Sequence, residues 1–472
     1  MKFDRSRYAL ALPLLAAVLA VAALVFWRAR QGEDALAERL PGADQPPGAD
    51  GAAAVNPILA GQLIEGQAQP ARLPGLWPQF RGPNRDGISP DTTPLARAWD
   101  AAGPRQLWAV ACGEGYAGAA ISQGRVFLMD YDYDKKQNAL RCLSLADGGE
   151  IWRYAYTMPV KRNHGMTRTV PAVADPYVVA LDPKCHVLCL DAATGQLRWG
   201  LNLVREYGAT IPPWYAGQCP LMDGKAVILA PGGHDALLAA VELETGKTLW
   251  RAPNPQDWKM THSSIMPMEW AGRRFYVYCA SGGVAGIAAE DGTLLWQTNA
   301  WKISIATVPS PLVLEGGKIF LAGGYNAGSL LLQLQDQGGR LVPETVWKLA
   351  PEVFGATQHT PIFHDGRIFG TRPSGQFVCL GLDGKVLWAS PAGDNFGLGP
   401  FLLAEGVFFV MNDSGKLSLV EDSSTRFNLL AQAQVLQGRE SWGPMALAGG
   451  RLLARDFTRL VCLDVSASSP PK

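Results

Sequence analysis

The side chains of this sequence that could do chemistry fall in short segments spread along the chain. These are Glu114 and Tyr116; Arg162, His164 and Arg168; Trp214 and Tyr215; Lys259 and His262; Gln358 and His359; Asn395 and Phe396; Ser441 and Trp442. Arginine, lysine and imidazole supply positive charge and hydrogen-bond donors, and the aromatic rings supply flat faces. An anionic or aromatic ligand needs that combination. Tyr116, Arg162, His164, Arg168, Trp214, Tyr215, Lys259, His262, Gln358, His359, Asn395, Phe396 and Trp442 are therefore the candidate ligand-binding residues. Exposed loops carry polar residues in any protein, so these positions matter only if the fold brings them together. No catalytic residue and no metal ligand is assigned, because the sequence has no Ser/His/Asp phrase, no metal-spaced His/Cys cluster and no glycine-rich loop opening a helix. Gly232-Gly233-His234-Asp235 lies between two strand-like runs and reads as a turn.

The elements that must position these residues repeat. Trp108, Trp152, Trp199, Trp250, Trp296, Trp347 and Trp388 are separated by 44, 47, 51, 46, 51 and 41 residues, and Phe427 takes the next slot. Five of the surrounding phrases read Gly-x-x-x-Trp: DGGEIW, TGQLRW, TGKTLW, DGTLLW and DGKVLW. Each follows a strand-like run, so the Asp/Thr-Gly pair predicts the tight turn of a hairpin that ends at the tryptophan. A second anchor opens most units at Pro171, Pro220, Pro267, Pro311, Pro361, Pro400 and Pro444, with one more strand between the anchors. Four-stranded units of 40 to 50 residues with almost no helix predict the blades of a β-propeller. The last unit ends at Arg-Leu-Val-Cys-Leu-Asp-Val, one strand short, while an orphan tryptophan strand, Arg105 to Val110, precedes the first. The orphan completes the last blade of a closed ring. Counting the proline-free opening at Gly118 gives eight blades; an irregular fifth unit and a seventh without tryptophan leave seven open. The recurrence of the tryptophans assigns them to blade docking, because a large buried aromatic staples neighbouring sheets together.

Residues 8 to 27 form an apolar run flanked by Lys2, Arg5 and Arg7 on one side and Arg28 and Arg30 on the other. Twenty residues at a rise of about 1.5 Å cross the roughly 30 Å hydrocarbon core of a bilayer. The expectation is an uncleaved signal anchor over 1–30, with a cleaved signal peptide as the alternative. Residues 31–75 are rich in Ala, Gly, Pro, Gln and Asp and read as a flexible linker. Residues 76–104 read as an N-terminal clasp, 105–466 as the propeller and 467–472 as a disordered tail. Lys+Arg and Asp+Glu both number 42, which removes the basic surface that nucleic acid requires. Of the eight cysteines, Cys142, Cys189, Cys379 and Cys462 occupy equivalent slots in four blades, too far apart to pair, and Cys185 with Cys189 is the one near pair. Buried, reduced thiols are the expectation.

The Gly-x-x-x-Trp blades, together with Trp77-Pro-Gln-Phe-Arg-Gly-Pro-Asn-Arg-Asp-Gly-Ile-Ser89 at their entrance, resemble the pyrroloquinoline-quinone-like (PQQ-like) β-propeller repeat proteins. That superfamily includes the quinoprotein alcohol dehydrogenases and the outer-membrane assembly lipoprotein propeller. The resemblance spans about residues 76 to 466 and implies a bacterial protein with its propeller in the periplasm. It implies one possible cofactor, pyrroloquinoline quinone, although the adjacent cysteine pair and the c-type haem phrase seen among such enzymes are missing here. In the clasp, Trp77 and Phe80 are expected to cover apolar blade surface, and Arg81 and Arg85 to pair with loops. The sequence thus predicts an all-β, eight-bladed propeller of four-stranded blades, closed by an N-terminal strand and preceded by a transmembrane helix. Its expected location is the inner membrane, single-pass. Its expected partner is a cell-envelope protein or a small anionic or aromatic ligand, with no catalysis of its own. A quinoprotein oxidoreductase and a polysaccharide receptor or lyase are the alternatives.

Overall fold

The computed structural model describes residues 17–25, 56–100 and 102–467. Eight antiparallel sheets succeed one another along the chain. Blades 1 to 7 occupy residues 120–157, 172–202, 221–251, 266–298, 312–349, 362–389 and 401–434, each with four strands in sequence order from the channel outward. Blade 8 takes three strands from residues 446–464, and its outer strand is Arg105–Ala111, which pairs antiparallel with Arg459–Asp464. The N-terminal strand therefore closes the ring as the sequence predicts, and eight is the blade number.

The repeated phrases have a common geometry. In blades 8, 1, 2 and 3 the tryptophan ending the hairpin leans over the tight turn of the next blade, whose glycine lies directly beneath it. Cβ atoms placed on Gly148, Gly195, Gly246 and Gly292 would come within 2.7, 2.6, 2.7 and 2.6 Å of the rings of Trp108, Trp152, Trp199 and Trp250. These glycines also have φ between 73° and 76°, so both the backbone and the space require glycine. The indole N–H donates across the same boundary: Trp108 to Leu145 O at 3.1 Å, Trp199 to Leu243 O at 2.8 Å, Trp347 to Leu382 O at 3.0 Å and Trp388 to Ser423 O at 2.8 Å. Within its own blade, the residue opposite the tryptophan is small except in blade 5, where Leu331 faces Trp347. Cys142, Cys189, Cys379 and Cys462 face Trp152, Trp199, Trp388 and Trp108, while Gly286 faces Trp296. All eight cysteines are free thiols, Cys185 and Cys189 included.

The expectation of a flexible linker is revised in part. Part of the linker is built into the propeller: Gln62–Glu65 adds a fifth strand to blade 1, Ile58 is fully buried, and Tyr154 donates to Ile58 O at 2.8 Å. Polar composition hid this, because backbone hydrogen bonds to an open sheet edge need only a few apolar anchors. Residues 26–55, like the tail from 468, lie outside the described residues. Of the expected transmembrane helix, residues 17–25 are helical and the rest of the apolar run lies outside the described residues. Among the described residues no helix is long and apolar enough to cross a membrane.

Trp77 is buried in the apolar core and Phe80 packs against it, as expected of the clasp, but residues 77–89 do so inside the channel, while Leu95 pairs with Ser466 next to blade 8. Trp77 and Ile121 of blade 1 exchange backbone bonds at 2.9 and 2.7 Å, and Val173 of blade 2 donates to Pro78 O at 2.8 Å. Arg85 donates to Pro220 O of blade 3 at 3.1 Å. Arg81 donates to Thr360 O and Pro361 O of blade 6 at 2.5 and 2.8 Å, and Ile88–Ser89 runs parallel to the inner strand of blade 7. Blades 2 and 6 face each other across an eight-membered ring, as do 3 and 7, so the segment spans the pore. The arginines pair with main-chain carbonyls rather than with loop side chains, because inside the channel the ends of the inner strands offer unused acceptors.

The docking geometry generates a paired test. Gly246 (φ 73°) and Gly272 (φ 69°) share a backbone conformation, but a Cβ on Gly272 meets nothing within 4 Å. Gly272→Ala should cost about 1 kcal/mol for the conformation alone. Gly246→Ala should lower the urea midpoint distinctly further, because Trp199 must move.

Candidate functional site

The loops leading into the inner strands meet at one mouth of the channel, around a cavity of about 440 Å³. The channel segment forms part of its wall through Phe80, which makes it a pocket rather than a pore. Eight of the sequence-predicted residues line it: Tyr116, His164, Arg168, Trp214, His262, Gln358, His359 and Trp442. Tyr116 and Trp442 stack with ring centroids 5.3 Å apart and planes at 29°, and Tyr116 rests on Phe457 at 5.5 Å. Trp442 is fixed by donating to Asp413 Oδ1 at 2.7 Å.

Five expected residues are placed elsewhere. Arg162 forms an ion pair with Glu114 beside a separate outer groove, and Lys259 pairs with Asp257 at 2.7 Å. Tyr215 is buried, with its hydroxyl on Lys161 O at 2.6 Å and its carbonyl facing His262. Asn395 caps its own turn, accepting from Gly397 N at 2.8 Å, and Phe396 packs into the core against Phe377 and Phe427. Ser441, from the same loops, is fully buried. A loop of five to ten residues must send some side chains inward as anchors, and sequence alone does not give their direction. The lining also includes Phe80, Tyr325, Leu398 and Glu440. Tyr325 lies in a turn between the second and third strands of blade 5, which no repeat phrase marks.

Burial dominates the electrostatics. Arg168 stands 5.8 Å over the Tyr116 ring, and its Nη1 is buried without a hydrogen-bond partner. Desolvation lowers its pKa to about 10, which still leaves it charged at neutral pH. His262 lies with Nε2 2.8 Å from Tyr215 O, so a neutral ring donates there. Its pKa falls to about 4, first through burial and then through the Arg168 charge. His359 also falls to about 4, through burial and then Arg81, and its Nε2 has no hydrogen-bond partner. The one carboxylate on the wall among the described residues, Glu440, accepts from Tyr116 OH at 2.6 Å. Burial first, and then that bond, hold the Tyr116 hydroxyl protonated far above its usual range. The pocket therefore offers an aromatic platform, one under-used guanidinium and two neutral imidazoles.

The histidines set a pH dependence. Their pKa is about 4 in the fold and about 6.5 when unfolded, so between those values the unfolded chain binds protons that the folded chain does not. Stability should fall as pH drops from 6.5 towards 4. Melting followed by circular dichroism should show this fall, and the double variant His262→Gln/His359→Gln should flatten it.

Comparison with known proteins places this geometry. The chain matches BamB from Moraxella catarrhalis with a TM-score of 0.52 at 13% identity, over 76% of this chain and 99% of that one. It matches a europium-containing methanol dehydrogenase with a TM-score of 0.60 at 14% identity, over 83% and 90%. It also matches the computationally designed Ika8 protein with a TM-score of 0.51 at 11% identity, over 76% and 99%. At such identities these likenesses concern the fold alone. No curated protein matches the sequence. The family described as outer membrane protein assembly factor BamB matches residues 135–380, more than half of the chain, and this PQQ-like propeller belongs to that family.

Proposed function

We propose that this protein is a non-catalytic binding propeller of the cell envelope. Its N-terminal apolar segment anchors it to the inner membrane, its propeller stands in the periplasm, and its channel mouth receives an anionic or aromatic group of a partner protein or small ligand. The observation that carries the reading is the Tyr116–Trp442 platform beside Arg168, whose buried Nη1 lacks an acceptor. A buried donor left unpaired costs about 1–3 kcal/mol, and more when charged, so an incoming acceptor at this position is favoured. The family description, an assembly factor, agrees with a binding role.

The oxidoreductase alternative needs more from the same pocket. A quinone of the dehydrogenase kind works with a metal held by Glu and Asn oxygens and an Asp base. Among the described residues no Asn or Asp lines this cavity, and the one carboxylate, Glu440, is engaged by Tyr116. That donor set fits a flat anion better than a metal-assisted redox reaction. The polysaccharide reading retains the aromatic platform but gives Arg168 no role.

Pyrroloquinoline quinone, a planar tricarboxylate, serves as the probe. It should quench tryptophan fluorescence on binding, and Arg168→Gln should weaken it by about 10-fold or more, as expected for a hydrogen bond to a charged group. Arg162→Gln and Lys259→Gln should leave binding unchanged. With calcium and an alcohol added, dye reduction should stay at background; robust reduction that needs both cofactor and metal would establish the oxidoreductase. Binding of a neutral oligosaccharide, insensitive to Arg168→Gln, would favour the polysaccharide reading.

The anchor has its own test. The mature protein should begin at or near Met1 and stay in the membrane fraction after a carbonate wash. Recovery of a soluble chain starting beyond residue 27 would sink that part of the proposal.

A further inference from the structure

We propose that the propeller carries a zinc site at the end opposite the cavity, tying blade 6 to blade 7. His364 ends the inner strand Ile362–His364, three residues beyond Pro361, and so sits at the end of that strand away from the mouth that His359 lines. Asp365 follows in the turn, and Asp422 lies just past Lys416–Glu421 of blade 7. The backbone N–H of Asp422 is held by Gly406 O at 3.0 Å.

One donor atom from each of the three residues lies within 4.8 Å of the others. His364 Nε2 is 3.2 Å from Asp422 Oδ2 and 3.9 Å from Asp365 Oδ2. Zinc bonds of about 2.0–2.1 Å in a tetrahedron place ligand atoms roughly 3.3 Å apart, so small adjustments would complete three corners. An imidazole with two carboxylates suits zinc better than calcium, which prefers an all-oxygen shell.

A second observation is the burial and charge balance of Asp422, whose Oδ2 faces His364 and whose Oδ1 faces Arg367. The Asp422 side chain is only 9% exposed, and its Oδ1 is buried with no hydrogen-bond partner. Arg367 faces that oxygen at 3.6 Å and Asp365 at 3.4 Å. One guanidinium against two carboxylates leaves a negative charge unbalanced where Asp422 is least solvated. His364 and Asp365 are 33% and 70% exposed, which gives an ion a path inward and a water the fourth position. The sequence hides this set, because its members lie 57 residues apart on different blades.

The test uses tag-free, full-length protein stripped with EDTA. Zinc titrated in a calorimeter should bind 1:1 and raise the melting temperature, and cobalt should bind with the strong visible absorption of a tetrahedral ion. His364→Ala and Asp422→Asn should each weaken zinc by about 100-fold or more, since changes one shell further out already cost 10–100-fold. Asp365→Asn, on an exposed turn that does not threaten folding, should weaken it as well. His234→Ala, on an exposed loop elsewhere, should change nothing. No 1:1 binding, equal stabilisation by calcium, or zinc binding indifferent to Asp365→Asn would overturn the proposal.

Discussion

An indole lying over a glycine turn is the contact on which the rest of this propeller depends. Each outer-strand tryptophan buries its ring against the next blade and, in most blades, donates its N–H to a carbonyl there, so apolar burial and a directional bond act at the same boundary. The glycine beneath gives both the left-handed turn and the space, since any Cβ at that point would enter the ring. The chain writes this contact as Gly-x-x-x-Trp because the turn that receives one tryptophan begins the strand that carries the next. Where the pattern lapses, the packing changes. Trp296 faces a long hairpin in blade 5 instead of a tight turn, and its N–H is buried without a partner.

Closing the ring leaves a channel, and the chain fills it with its own N-terminal segment. A pore lined by the ends of inner strands presents carbonyls that lack partners. Two buried arginines, Arg81 and Arg85, satisfy several of them, and for both burial lowers the pKa to about 10. The segment also converts the pore into a pocket, with Phe80 on its wall. Fold closure and site formation thus share one cause. Burial, and after it the charges of Arg168 and Arg81, lowers the histidine pKa values at the channel mouth, and the same burial leaves Arg168 Nη1 without an acceptor.

The same architecture serves an assembly factor, a methanol dehydrogenase and a designed protein, so the blades carry no activity by themselves. What separates these cases is the set of side chains that the loops deliver to the mouth. Here that set is aromatic, weakly basic and poor in carboxylates.

The sequence by itself determined the blades and their closure, and left their number between seven and eight until the structure gave eight. Blades and closure rest on local turns and on a repeated docking residue, which periodicity records directly. It also marked the right loops, and eight of its thirteen candidate residues line the pocket. It did not determine which way each loop side chain points. Arg162 and Lys259 turn outward to nearby acids, while Tyr215 and Phe396 turn inward as anchors. Only the tertiary structure decided that residues 77–89 enter the channel, that residues 62–65 extend blade 1, and that His364 meets Asp422. Each of these contacts joins segments far apart in the chain through unused backbone bonds or complementary charge, and neither leaves a period in the sequence.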